Sequence, residues 1–312
     1  MSYSFLKESK LYIVYSGSKY RIYTSSAISF SQTFASDSYS VKTLHDQSKM
    51  FEGATITKAN PANFEFDVPL TKEKDESIII DLLSDVTDGQ LKSFDVYLQS
   101  NQSTFKLENA IITGGAIDFG RENPLTIRLQ GEGTKFSKVG DESYNIPGSA
   151  QSESATRTPL IVYPVVSVDS LDMNNITSLT VNIQNNIDWI PFETLQSSLS
   201  VTNASNVMRA SDYTVNKRLI SGAISQYQTD NNINQFDDFS TTANITLKGI
   251  KIEDAKLENA TPGSATPFIQ LALNPATFTA RMTPSQVFMQ SYDFSYTGSA
   301  TVDSIITQYE NS

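Results

Sequence analysis

Residues suited to chemistry are few in this chain and poorly grouped. Its one histidine, His45, stands beside Asp46, the makings of an acid–base pair. Adjacent residues of an extended segment point apart, however, and no nucleophile is placed next to them. Carboxylates come in close pairs at Glu65 and Asp67 and at Asp237 and Asp238. Such pairs serve glycoside hydrolysis or calcium binding, but neither sits in an EF-hand spacing, and a solvated strand face or a turn accounts for them. Cysteine is absent, which removes disulfides, thiolate metal sites and thiol nucleophiles, and one histidine leaves little for zinc or proton shuttling. Gly114-Gly115 and Gly131-Glu132-Gly133 are not followed by the Lys-Ser or helix opening of a phosphate-cradling loop, and read as turns. The triplets beginning at Asn101, Asn175, Asn203, Asn244 and Asn259 match glycan acceptors, as chance allows in a chain rich in Ser, Thr and Asn. Trp189, ahead of Ile190-Pro191-Phe192, reads as a core or interface anchor rather than a sugar platform. The expectation is a protein without catalysis, cofactor or metal.

The elements that must position these residues are strands. The chain has 312 residues, including 14 Tyr and 17 Phe among abundant Ser, Thr, Val and Ile, a composition that suits pleated, half-buried surfaces. Its length predicts two domains. A net charge of -11 argues against groove binding of nucleic acid, which is driven by Lys and Arg displacing counterions. Met1 to Lys10 lacks the basic-then-apolar order of a secretory signal, so synthesis and assembly in a cytoplasm are expected.

Alternation places strands at residues 11–15 and 20–23 around a Ser16-Gly17-Ser18-Lys19 turn, at 27–32 and 39–41, and most cleanly at 63–68, where Phe64, Phe66 and Val68 face inward. A short helix over 78–83 follows, with Asp75 as its cap. Further strands are read at 94–98, 105–113, 116–119 and 125–129. The non-periodic stretch Thr43 to Thr55, holding His45, Asp46, Lys49 and Glu52, reads as a long functional loop. Residues 139–158 turn polar, shifting to Gly, Ser, Glu and Asn with Pro147 and Pro159, dividing a first domain, 1–140, and a linker, 141–160, from a second domain, 161–312. There strands fall near 179–183, 195–201, 213–215 and 220–227. The run Ala276 to Arg281, then Val287 to Thr297, parallels Ala110 to Thr113, then Leu125 to Gly131, as a diverged duplication would.

On these stretches, with Ser4 to Val14, Ile28 to Gln32, Phe64 to Leu70 and Ile220 to Tyr227, the chain resembles the major tail tube proteins of T-five-type long-tailed bacteriophages, in which two tube domains are fused. The resemblance implies a mainly β, sandwich- or barrel-like tube fold, duplicated, with one short helix per domain. It implies that each chain fills two positions of a six-fold wall, that three chains close a ring, and that rings stack into the tail as a conduit for DNA ejection. Partners would be further copies of the chain, the tape measure, distal tail and terminator proteins, and DNA passing transiently, with no membrane and a place in the virion tail. If Ile28, Phe30, Phe64 and Phe66 face the core, then Ser29, Ser31, Glu65 and Asp67 face the lumen. The loop bearing His45, Asp46, Lys49 and Glu52, with its shorter counterpart at 203–212, would join ring to ring. The rival reading is a secreted or surface β-sandwich that binds carbohydrate or another surface, and a third is a β-rich hydrolase using Glu65 or Asp67.

Overall fold

The computed structural model describes residues 9–26, 28–39, 54–73, 75–87, 90–119, 123–169, 171, 173, 175–189, 207–210, 212–230, 240–251, 267–284, 287–298, 302–304 and 306–309. The chain is mainly β. Its first half contains β1 (Lys10–Tyr15), β2 (Ser18–Ile22), β3 (Ser29–Ser31), β4 (Phe34–Tyr39), β5 (Ala54–Ala59), β6 (Ala62–Pro69) and the helix α1 (Ser77–Ser84). There follow β7 (Asp85–Thr87), β8 (Gln90–Leu91), β9 (Phe94–Gln99), β10 (Thr104–Asp118), β11 (Thr126–Gly133), β12 (Lys135–Gly140) and β13 (Ser149–Ala150). The second half holds β14 (Val162–Val168), β15 (Ile176–Trp189), β16 (Val207–Arg209), β17 (Tyr213–Tyr227) and β18 (Ser240–Lys251). It ends with β19 (Ile269–Thr283), β20 (Met289–Gly298), β21 (Val302–Ser304) and β22 (Ile306–Tyr309). Among the described residues α1 is the single α-helix.

Local chemistry accounts for these elements. Ser16 and Gly17 have φ of 48° and 77°, the left-handed pair that a two-residue hairpin turn requires, so β1 and β2 meet through a tighter turn than the four residues expected. In β6 the apolar Phe64, Phe66 and Val68 are buried between outward Asn63, Glu65 and Asp67, the period of a two-faced strand. In α1 Ile78, Ile79, Ile80, Leu82 and Leu83 are all buried, so the helix is held by burial on several sides and not by its caps.

Most strands join one 16-stranded sheet in which two sets repeat one spatial order. The first set runs β3-β6-β11-β10-β9-β1 and the second β15-β17-β20-β19-β18-β14, every pairing antiparallel. The registers match apart from one extra residue, a bulge in β10 against β11 that β19 lacks against β20. β10 slips against β9 between Leu107 and Ala110, opposite Val96 and Phe94, and β19 slips against β18 between Leu273 and Ala276, opposite Ile245 and Ala243. The hairpins of the two sets close at Asp118 opposite Thr126 and at Thr283 opposite Met289. Counting from these marks, Ile117 corresponds to Met282, Ile13 to Val168 and Phe64 to Gly222. At this last position ring and glycine exchange strands, since Phe64 faces Gly131 whereas Gly222 faces Phe294. A Cβ on either glycine would meet the facing ring and a neighbouring carbonyl, that of Ile111 or Thr180, so the strands approach as closely as glycine alone permits.

Three expectations are corrected. Neither Gly114-Gly115 nor Gly131-Glu132-Gly133 is a turn: β10 runs through the first, with a bulge between Ile112 and Gly114, and β11 runs through the second. Asp75 does not cap α1, since its carboxylate is turned away to accept hydrogen bonds from Ser154 N (3.0 Å) and Oγ (2.9 Å). Residues 141–160, expected to bury little, are docked: β13 pairs with β2, and Ile146 and Leu160 are buried. The strand read at 195–201 lies outside the described residues.

Candidate functional site

Alternation along the sheet separates two continuous faces. One row of opposed residues crosses from the first set to the second as Val68, Ile127, Ile117, Val181, Gly222, Phe294 and Phe278. Apart from Gly222, its residues all belong to the buried core that both sets share. The adjacent row, one residue along each strand, reads Asp67, Arg128, Ala116, Asn182, Ser221, Ser295 and Thr277. It is polar or small throughout and points to the other side. A slip of one residue at any pairing would have turned apolar groups outward, so the seam between β10 and β15 holds the same register discipline as the pairings within each set.

On that polar face Ser29 lies opposite Glu65, and Ser31 opposite Asn63, with Glu65 flanked on its other side by Gln130. Ser29, Ser31 and Glu65 are exposed and Asp67 is half-buried. Ser29, Ser31, Glu65 and Asp67 therefore lie on one face of the sheet. Two ion pairs, Arg128 Nε to Asp67 Oδ1 at 3.2 Å and Arg281 Nη2 to Asp293 Oδ2 at 2.7 Å, lie on the same face. The two arginine side chains are 64% and 72% exposed, so water screens them and they add little stability. Sequence reading missed Arg128, Asp118, Arg281 and Asp293 as members of this face, although the alternation of their strands carried the signal. Among the described residues no three His, Cys, Asp or Glu are grouped to hold a metal ion. His45, Asp46, Lys49, Glu52, Asp237 and Asp238 lie outside the described residues.

The seam is fastened by buried polar contacts. Asn185 Nδ2 donates to Ile112 O (2.8 Å), and the fully buried Arg218 donates through Nη2 to Leu83 O (2.6 Å) at the end of α1, where carbonyl dipoles favour a cation. Tyr213 Oη donates to Leu91 O (3.0 Å) and accepts from Leu91 N (3.1 Å), and burial pushes its phenol up from the ordinary value. Trp189 stacks edge-on to Tyr213 and donates to Glu132, which makes it an anchor between the two sets.

The connector is clamped as well. Arg157 reaches Glu76 at 2.7 Å and Asp75 at 3.1 Å, and its guanidinium lies 3.7 Å from the centre of the Tyr23 ring. Glu76, itself buried, accepts from Thr71 Oγ1 at 2.7 Å. Glu73 accepts from Thr158 N (2.8 Å), which holds its carboxyl below the usual value. Beyond the clamp, Leu160 threads between two strand ends: its N–H donates to Leu70 O (2.9 Å) and its carbonyl accepts from Leu125 N (2.8 Å).

A two-faced sheet whose end strands, β3 and the tip of β19, each pair on one side only among the described residues is suited to assembly. No curated protein matches the chain. The Bacteriophage Baseplate Tube Protein Family matches it over residues 1–312. A continuous sheet with a core on one side and a polar surface on the other is what a tube wall requires, and the chain belongs to this family of structural components of the phage tail.

Proposed function

We propose that the chain is a duplicated tube protein of the T-five type, with units at 1–140 and 161–312, three copies of which close a ring of pseudo-six-fold symmetry. Rings stack coaxially with the neighbouring tail proteins, and DNA leaves the virion through their common bore. The observation that carries this reading is the continuous sheet, in which the second set continues the first across the β10–β15 pairing, while β3 and the tip of β19 each pair on one side only among the described residues. Edges of that kind are normally blunted or covered, and closure into a ring removes them.

Each chain would supply β3, β6, β11, β10, β15, β17, β20 and β19 to the wall. Three chains then give about 24 strands, above the roughly 16–18 at which closed barrels already leave an aqueous channel. The polar face with Ser29, Ser31, Glu65 and Asp67 lines the bore. Its acidic groups repel phosphates, so DNA slides without adhering. The loop carrying His45, Asp46, Lys49 and Glu52 contacts the next ring.

Negative-stain microscopy of the purified chain across a concentration series tests the proposal. Three-chain rings or stacks are the expected result. A chain that stays monomeric at every concentration, both alone and with its neighbouring tail proteins, refutes it.

A further inference from the structure

The internal seam predicts how one molecule joins the next. On the ring reading above, we infer that the tip of β19 pairs antiparallel with β3 of a second copy, in the register that β10 already adopts with β15. In that seam Asp118 faces Thr180, Ile117 faces Val181, Ala116 faces Asn182 and Gly115 faces Ile183. The correspondence of the sets converts each partner. On the first side Asp118, Ile117, Ala116 and Gly115 become Thr283, Met282, Arg281 and Ala280, fixed by the hairpin ends. On the second side Val181 lies opposite Gly222 as Phe30 lies opposite Phe64, so Thr180, Val181, Asn182 and Ile183 become Ser29, Phe30, Ser31 and Gln32. Between molecules, therefore, Thr283 meets Ser29, Met282 meets Phe30, Arg281 meets Ser31 and Ala280 meets Gln32. The ladder stops there, because Thr279 is already paired with Ser240.

Exposed apolar side chains mark the same two margins. Met282 is 44% exposed, although its counterpart Ile117 is 1% exposed beneath β15. Phe288, which corresponds to Leu125, is 49% exposed, whereas Leu125 is 1% exposed under Leu160. The backbone around it is otherwise the same, for Gln228 N donates to Phe288 O (2.9 Å) as Leu70 N donates to Leu125 O (2.8 Å). On the opposite margin Phe34, just beyond β3, is 56% exposed. Burial that the first set receives from the second is thus missing from the second set, and a second copy of the chain supplies it.

Cysteine cross-linking tests the register, since the chain has no cysteine of its own. Arg281→Cys with Ser31→Cys changes two exposed positions and brings the thiols within disulfide reach, because opposed Cα atoms in an antiparallel pair lie about 4.5–5.5 Å apart. Mild oxidation should give covalent dimers and closed trimers on non-reducing gels. Met282→Cys with Phe30→Cys should do the same, and Arg281→Cys with Phe30→Cys, which puts the thiols on opposite faces, should cross-link at least tenfold less. Rings seen by microscopy with no preference among the three variants overturn this register but leave the ring standing. Absence of rings in the unmodified protein overturns both.

Discussion

Replacing Arg157 with Ala isolates the clamp on the connector. The guanidinium lies 2.7 Å from Glu76 and 3.1 Å from Asp75, whose side chains are 2% and 10% exposed. Removing it leaves two desolvated carboxylates without their cation. Losing one member of a buried pair costs about 3–5 kcal/mol. Arg157 keeps 21% of its side chain in water, which softens the loss and puts the expectation at about 3 kcal/mol. The contact with Tyr23 adds about 0.5 kcal/mol. Glu76→Gln retains an oxygen to accept from Thr71 while removing the stranded charge, so Glu76→Gln with Arg157→Ala should recover about 2 kcal/mol of the single-variant loss. Urea unfolding followed by tryptophan fluorescence measures both, with the midpoints compared at a common slope. A single variant within about 0.5 kcal/mol of the parent, or a double variant no more stable than the single, would refute the claim that a buried ion pair holds the connector.

Gly131→Ala and Gly222→Ala should each cost about 2–3 kcal/mol, because the new Cβ meets an adjacent carbonyl. Gly17→Ala, with φ of +77° and nothing within 4 Å, should cost about 1 kcal/mol from backbone strain alone; equal costs at the three sites in thermal unfolding would contradict this division. The lowered Glu73 value means that its contact stabilises the fold above the ordinary glutamate range and fades as pH falls through the lower folded-state value. Hydrogen exchange at the Thr158 amide, corrected for intrinsic rate, should therefore lose protection as pH falls below the ordinary glutamate range, and unchanged protection would count against the contact. Glu65→Lys with Asp67→Lys should make assembled rings retain DNA in low salt and release it as salt rises; no gain in retention argues against these residues lining the bore.

Local patterns explain what could be read early. The β6 alternation, the Ser16-Gly17 turn and the apolar run of α1 are each set by neighbours in sequence, and the runs from Ala110 and Ala276 do fall at the same bulge. What local pattern conceals is pairing between distant segments. β10 carries two glycines where turns are common, yet it continues because β11, β15 and the α1 residue Leu83 close around it. The polar stretch 141–160 reads as a tether until Arg157 meets Glu76 and Leu160 meets Leu70, both more than seventy residues away. The polar face likewise needed the register, since residues such as Asn182 and Ser221 look like any strand polars until they align with Asp67.

The β10–β15 seam lies between parts of one polypeptide, so it never waits for a diffusional encounter. Linked segments meet at effective concentrations of about millimolar, however dilute the protein, whereas the proposed β19–β3 contact would have to be found by collision. A ring built this way has half of its joints closed before any two molecules touch. Dilution can then open it only at the other half, into whole chains and never into single units.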